Sequence, residues 1–154
     1  MGVCGCGKSL IGARFAAALN GIFEDADDFH SVANKARMSA GIPLTDEDRW
    51  PWMRTLRARI EEMREKTPCY VLACSALKQS YRDILSGEGV LFLYLKGPRE
   101  LIASRMAARK GHYMPTTLLD SQFAILEEPQ DAIVADISGT PEEITAQALR
   151  MMGA

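Results

Sequence analysis

The sequence has no apolar run long enough to cross a bilayer. Its longest uninterrupted stretches, such as Val90–Leu95, fall far short of the roughly 20 residues a spanning helix needs. It has no surplus of positive charge either: 18 Lys and Arg stand against 20 Asp and Glu, a net charge of −2. Binding of nucleic acid by bulk electrostatics is therefore not expected. There are no repeats, no low-complexity tracts and no linker. No apolar stretch near the start reads as a signal peptide, because Lys8 and the glycines around it interrupt it. Cys4, Cys6, Cys69 and Cys74 lack zinc-finger spacing. Their irregular placement is that of reduced thiols in a cytoplasmic protein. A membrane span, a secreted disulfide miniprotein, a disordered tail and a coiled coil are all excluded as readings.

What is present suits one folded domain. The chain has 154 residues, 47% apolar and 25% charged, an ordinary globular balance. Helical spacing of Ile11, Phe15, Ala18 and Leu19 predicts a helix over 7–20. A brief strand is expected at Ile22–Glu24 and a polar loop over 25–30. A short helix over 31–40 should stop at Gly41 and Pro43. Thr45 and Asp48 match a capping box, opening a long amphipathic helix that runs to about Lys66. Buried strands are expected at Tyr70–Cys74, Val90–Leu95 and Ala132–Asp136. Helices are expected over 77–86, from Pro98 to about Lys110, over 116–127 and at Pro141–Met152. This alternation implies an α/β domain with a mostly parallel sheet.

Gly2-Val3-Cys4-Gly5-Cys6-Gly7-Lys8-Ser9 matches G-x-x-x-x-G-K-[ST] without a mismatch. The glycines let backbone N–H groups converge on phosphate oxygens, Lys8 brings a point charge to the outer phosphates, and the Ser9 hydroxyl suits a Mg²⁺ shell. Such a loop normally follows a buried strand, and only Met1 precedes Gly2 here. We therefore expect a single domain over 1–154, truncated at its N-terminus, with the first central strand missing. Asp25-Ala26-Asp27-Asp28-Phe29-His30 follows the second expected strand, at the end of a parallel sheet where ligands bind. Phosphoryl transfer to an alcohol needs one carboxylate to accept the hydroxyl proton and others to hold Mg²⁺, and Asp25 and Asp27 have the spacing for both.

Together these motifs resemble the gluconokinase family. The resemblance extends through Gly41-Ile42-Pro43-Leu44-Thr45-Asp46-Glu47-Asp48-Arg49, Cys74-Ser75-Ala76-Leu77-Lys78, Tyr81-Arg82-Asp83, Lys110-Gly111-His112-Tyr113-Met114 and Ser121-Gln122-Phe123. It runs in register from Gly2 to about Pro129. It implies a phosphate-loop kinase fold with a helical lid over about 105–120. The implied activity is transfer of the ATP γ-phosphoryl group to the 6-hydroxyl of D-gluconate with Mg²⁺, in a cytoplasmic homodimer with neither a membrane nor a nucleic-acid partner. By the same resemblance Asp27 is the proton acceptor, Asp25 a Mg²⁺ partner, and His30 a lining residue of the acceptor pocket; the two aspartates could exchange roles. The segment after Pro129 is shorter than is common in the family, which leaves nucleotide preference open.

An anionic polyol needs cationic donors. Arg49, Lys78 and Arg82, each at or near a predicted element terminus, are the candidates for gluconate. Arg105 and Arg109 share a helical face ahead of Gly111, a plausible hinge, and are the candidates for the lid arginines that meet the transferring phosphoryl group, Arg105 first. Arg54, Arg57 and Arg59 read as a solvated face, and Trp50 and Trp52 as packing residues. Cys4 and Cys6 are either neutral replacements or thiols made acidic by Lys8 and the helix end. Two other readings stay open: another small-molecule kinase of this fold, such as a shikimate-like enzyme, and a catalytically inactive nucleotide-binding fragment.

Overall fold

In the computed structural model, residues 1–108 and 116–153 are described. Helix α1 (Lys8–Ala18) leads to β1 (Ile22–Asp25), a 3-10 turn (Ala26–Phe29) and α2 (Val32–Ser39). The long α3 (Asp46–Lys66) precedes β2 (Tyr70–Ala73), α4 (Gln79–Leu85), β3 (Leu93–Lys96) and α5 (Arg99–Ala108). The chain ends with α6 (Thr116–Ile125), β4 (Ile133–Asp136) and α7 (Pro141–Met152). The expected elements are all present. The third strand begins later than its apolar run: Val90 and Phe92 pack against the core beside α3 and α4, while Leu91 between them is exposed.

All strand pairing among the described residues is parallel. Ile22–Asp25 of β1 pair with Tyr70–Ala73 of β2, and Leu93–Lys96 of β3 pair with Ile133–Asp136 of β4. Between the two pairs lies Met1. Its terminal amine donates to Leu93 O, its carbonyl accepts from Leu95 N at 3.0 Å, and Gly2 N donates to Ser75 O at 3.2 Å. Met1 thus occupies a strand position ahead of the phosphate loop for one residue. Below it the gap widens into an apolar cavity of about 680 Å³, lined by Phe15, Val71, Phe92, Leu93 and Ile133 among others.

Two apolar clusters flank this arrangement. One joins Val3 and Cys6 of the loop to Ile102, Met106, Leu119, Ile137 and Ile144. The other joins Trp52, Met53, Leu56 and Ile60 of α3 to Tyr81 and Leu85 of α4. Thr45 and Asp48 form the expected capping box, and Thr140 with Glu143 forms a second. Arg57 and Arg59 are not simply solvated: Arg57 donates to Leu85 O, and Arg59 pairs with Glu24 and Glu62. No helix among the described residues is long and apolar enough to cross a membrane.

Candidate active site

The phosphate loop turns through Gly5 (φ +76°) and Gly7 (φ +101°) into α1. A methyl group at Gly5 would come within 2.5 Å of Met106, so the loop lies tight on α5. No side chain caps α1, whose first-turn N–H groups open an anion site. Lys8 Nζ donates to Val3 O at 2.9 Å, holding the ammonium across the loop.

Ser9 and Asp25 meet. The Ser9 hydroxyl donates to Asp25 Oδ2 at 2.7 Å, and Asp25 Oδ1 accepts from Asp27 N at 3.0 Å. The last residue of β1 thus ties α1 to the acidic turn. A hydroxyl beside a carboxylate is a hard-oxygen pair of the kind Mg²⁺ takes, with waters and phosphate oxygens filling the rest of its shell.

Asp27 stands next along the turn. Its carboxyl is pushed above the ordinary aspartate range by the protein crowded around it and then by Asp25, with His30 and Lys8 pulling the other way. Its side chain still keeps 82% of its surface open, so water moderates the effect. The hydrogen bond from Asp27 N to Asp25 sets this turn beside the phosphate loop, through the Ser9–Asp25 contact.

His30 differs from its expected place. Rather than lining an open pocket, it is buried beneath Asp27, stacked on Trp52 with ring centroids 4.0 Å apart. Its Nε2 lies 3.9 Å from Asp27 Oδ1, and its buried Nδ1 has no partner among the described residues. Burial lowers its pKa, keeping the ring neutral. Trp52 donates to Ala26 O at 2.8 Å, which fixes the 3-10 turn from below.

The three cations chosen for an anionic substrate separate. Arg49, half-buried, donates to the Tyr81 hydroxyl at 3.2 Å and reaches His30 electrostatically. Lys78 is held by both oxygens of Asp46, at 3.1 and 2.9 Å, and Tyr81 also donates to that carboxylate. Tyr81 and then Lys78 keep the Asp46 carboxyl below its usual range. Arg82 is placed otherwise than expected. Only 2% exposed, it donates to Ala76 O, Leu77 O, Glu127 O and Gln79 Oε1. Backbone carbonyls saturate its fork, which leaves it a clamp on the 74–78 loop.

Arg105 lies in the last turn of α5 and donates to Gly139 O at 3.3 Å, so it meets the loop after β4 rather than the phosphate loop. Arg109 and the Gly111 hinge lie outside the described residues. Cys6 is buried, and the half-buried Cys4 thiol is pushed up by burial more than Lys8 lowers it. That corrects the notion of an acidic Cys4 thiol. Burial also raises Cys74, to about 11. Asp46, Tyr81, Gln122 and Glu127 carry contacts that spacing did not assign, although each stood inside or beside a quoted motif.

Comparison with known proteins agrees with this geometry. Residues 4–152 match the family model for shikimate kinase. The chain is 45% identical to the thermosensitive gluconokinase of Escherichia coli strain K12, over 96% of this chain and 82% of that one. It is 40% identical to a gluconokinase of Arabidopsis thaliana, over 99% and 89% of the respective chains. The crystal structure of a gluconokinase from Sinorhizobium meliloti 1021 superposes with a TM-score of 0.89 at 40% identity, covering 99% of this chain and 89% of that one. An APS kinase from Mycobacterium tuberculosis shares the fold alone, at 14% identity and a TM-score of 0.71. Matched to the shikimate kinase model over residues 4–152, and 40–45% identical to gluconokinases over 96–99% of its length, the chain belongs to the gluconokinases of the shikimate kinase family.

Proposed function

We propose that the protein transfers the γ-phosphoryl group of ATP to the 6-hydroxyl of D-gluconate, giving 6-phospho-D-gluconate and ADP. The observation that carries this reading is the chain of contacts from the phosphate loop to the acidic turn: Ser9 donates to Asp25, Asp25 accepts from Asp27 N, and the exposed Asp27 carboxylate stands over His30. The N–H groups of the loop and of the first turn of α1 hold the inner phosphates, and Lys8 faces the outer ones. Ser9 and Asp25 would hold Mg²⁺, which screens phosphate charge when bound.

Asp27 accepts the proton of the attacking hydroxyl as the oxygen–phosphorus bond forms. His30, neutral and stacked, limits how far that carboxylate can turn. Arg49 meets the gluconate carboxylate, and Lys78, already shared with Asp46, contributes less.

The test is ADP release with and without gluconate. Turnover should require gluconate, with shikimate, glucose and AMP supporting far less. Equal rates with AMP would end the gluconate reading. Preference for shikimate would move the chain to the other branch of its family.

A further inference from the structure

The Val3–Cys4 peptide unit is gripped at both ends. Its carbonyl, Val3 O, accepts from Lys8 Nζ at 2.9 Å. Its N–H, on Cys4, donates to Gln122 Oε1 at 2.6 Å. Gln122 belongs to α6, more than a hundred residues away in sequence. Leu119 of α6 is fully buried in the cluster that holds Val3, Ile102 and Met106, and Phe123 and Leu126 pack on the same cluster. These three positions form one helical stripe, so α6 is registered against the residue whose carbonyl parks Lys8. The exit of α6 is pinned too. Glu127 N donates to Leu77 O at 2.9 Å, and Glu127 Oε2 accepts from Gln79 N at 2.6 Å.

We propose that Gln122 is a positioning residue for phosphoryl transfer, holding the Val3–Cys4 peptide in the orientation that presents its carbonyl to Lys8. A peptide unit flanked by loop glycines can rotate, and a flip would aim the carbonyl oxygen away from the ammonium and toward incoming phosphate. Without nucleotide, Lys8 and Gln122 restrain it together, with a longer backbone contact from Cys6 N to Val3 O at 3.4 Å. Once phosphate draws Lys8 away from Val3 O, Gln122 is the remaining side-chain restraint given by the described contacts. Its effect therefore falls on turnover more than on the resting fold. This role rests on the loop being the ATP site.

The experiment compares Gln122→Met, which keeps length and removes the acceptor, with Gln122→Glu, which keeps an acceptor oxygen. The readouts are the ¹H–¹⁵N resonance and hydrogen exchange of the Cys4 amide, MgADP affinity, melting temperature, and kcat against the KM for ATP. In Gln122→Met the Cys4 amide should move upfield and exchange faster. Its kcat should fall roughly 3- to 10-fold, the loss expected for one hydrogen bond, with melting temperature and MgADP affinity little changed. Gln122→Glu should keep the amide in place and restore kcat, while its negative charge raises the KM for ATP. A Gln122→Met enzyme with parental kcat overturns the proposal, as does an equal loss in both variants or a loss that tracks the unfolded fraction. The amide and MgADP measurements need no acceptor, so they stand even if gluconate is not the substrate.

Discussion

Replacing Arg82 separates two roles that sequence spacing alone cannot. If Arg82 met gluconate, Arg82→Leu would raise the KM for gluconate and leave the fold unchanged. The structure points to the opposite result. The guanidinium bridges Ala76 O, Leu77 O and Glu127 O. Leu77 O keeps a second donor, Glu127 N at 2.9 Å. Gln79 Oε1 borders solvent and can turn to water. Two carbonyls, Ala76 O and Glu127 O, would lose their donor. At about 1–3 kcal/mol for the buried Ala76 O and about 1 kcal/mol for the hydrogen bond to Glu127 O, whose residue is exposed, the loss is about 2–4 kcal/mol. Ala76 adds to the sensitivity, because it holds φ +45°, a left-handed conformation that a non-glycine residue keeps only under restraint. For a chain of this size each kcal/mol moves the melting temperature by roughly 2–4 °C, so Arg82→Leu should melt roughly 5–15 °C lower. Thermal unfolding followed by circular dichroism, beside gluconate kinetics well below the transition, decides the matter. A variant that melts like the parent but needs tenfold more gluconate would refute the clamp and return Arg82 to the pocket.

Three further outcomes follow from the same geometry. Asp27→Asn should cut kcat by roughly 10²-fold or more, the usual size of a general-base contribution. The acid limb of the parent's kcat/KM should lie above the ordinary aspartate range near 3.9, because the Asp27 pKa is raised and activity is lost as pH falls through it; a limb at or below that range removes Asp27 as the base. Arg49→Met should raise the KM for gluconate roughly 10-fold or more, as expected for a charge-assisted hydrogen bond, and Lys78→Met should raise it less because Asp46 already shares that ammonium; initial-rate kinetics on both variants test the order. With Cys4 raised by burial, alkylation by iodoacetamide should be slow at neutral pH, quicken only as pH climbs beyond the ordinary thiol range, and be blocked by MgATP; fast inactivation at pH 7 that Cys4→Ser abolishes would show an acidic thiol after all.

The fold was legible because its signals are local. Alternating apolar runs and helical stripes located the strands and helices, and Thr45 with Asp48 marked the start of α3 correctly. The start of β3 was misplaced because an apolar run reports burial, not backbone pairing. Val90 and Phe92 are inward-packed and carry the right hydrophobicity, yet the ladder with β4 begins at Leu93. What Met1 does was beyond reach for a similar reason. A single residue pairing with β3 through backbone atoms leaves no trace in side-chain pattern.

The site was legible wherever the chemistry sits in one short segment. Gly2–Ser9 and Asp25–Asp27 came from spacing, and the Ser9–Asp25 hydrogen bond joins them. The cations were harder. A basic residue at a helix start reads as a ligand donor, but what it binds depends on which acceptor arrives first in space. For Lys78 that acceptor is Asp46, 32 residues away; for Arg82 it is Glu127 O, 45 residues away. Arg105 meets Gly139 O, 34 residues on. These acceptors lie far from their partners in sequence, although Arg82 also draws on the nearby Ala76 O, Leu77 O and Gln79 Oε1. Arg49 is left facing Tyr81 and His30, without a carboxylate within ion-pair distance among the described residues. On the proposed reading the two cations would meet an anionic substrate unequally: Arg49 has no carboxylate at ion-pair distance among the described residues, whereas Lys78 would have to share its ammonium with Asp46.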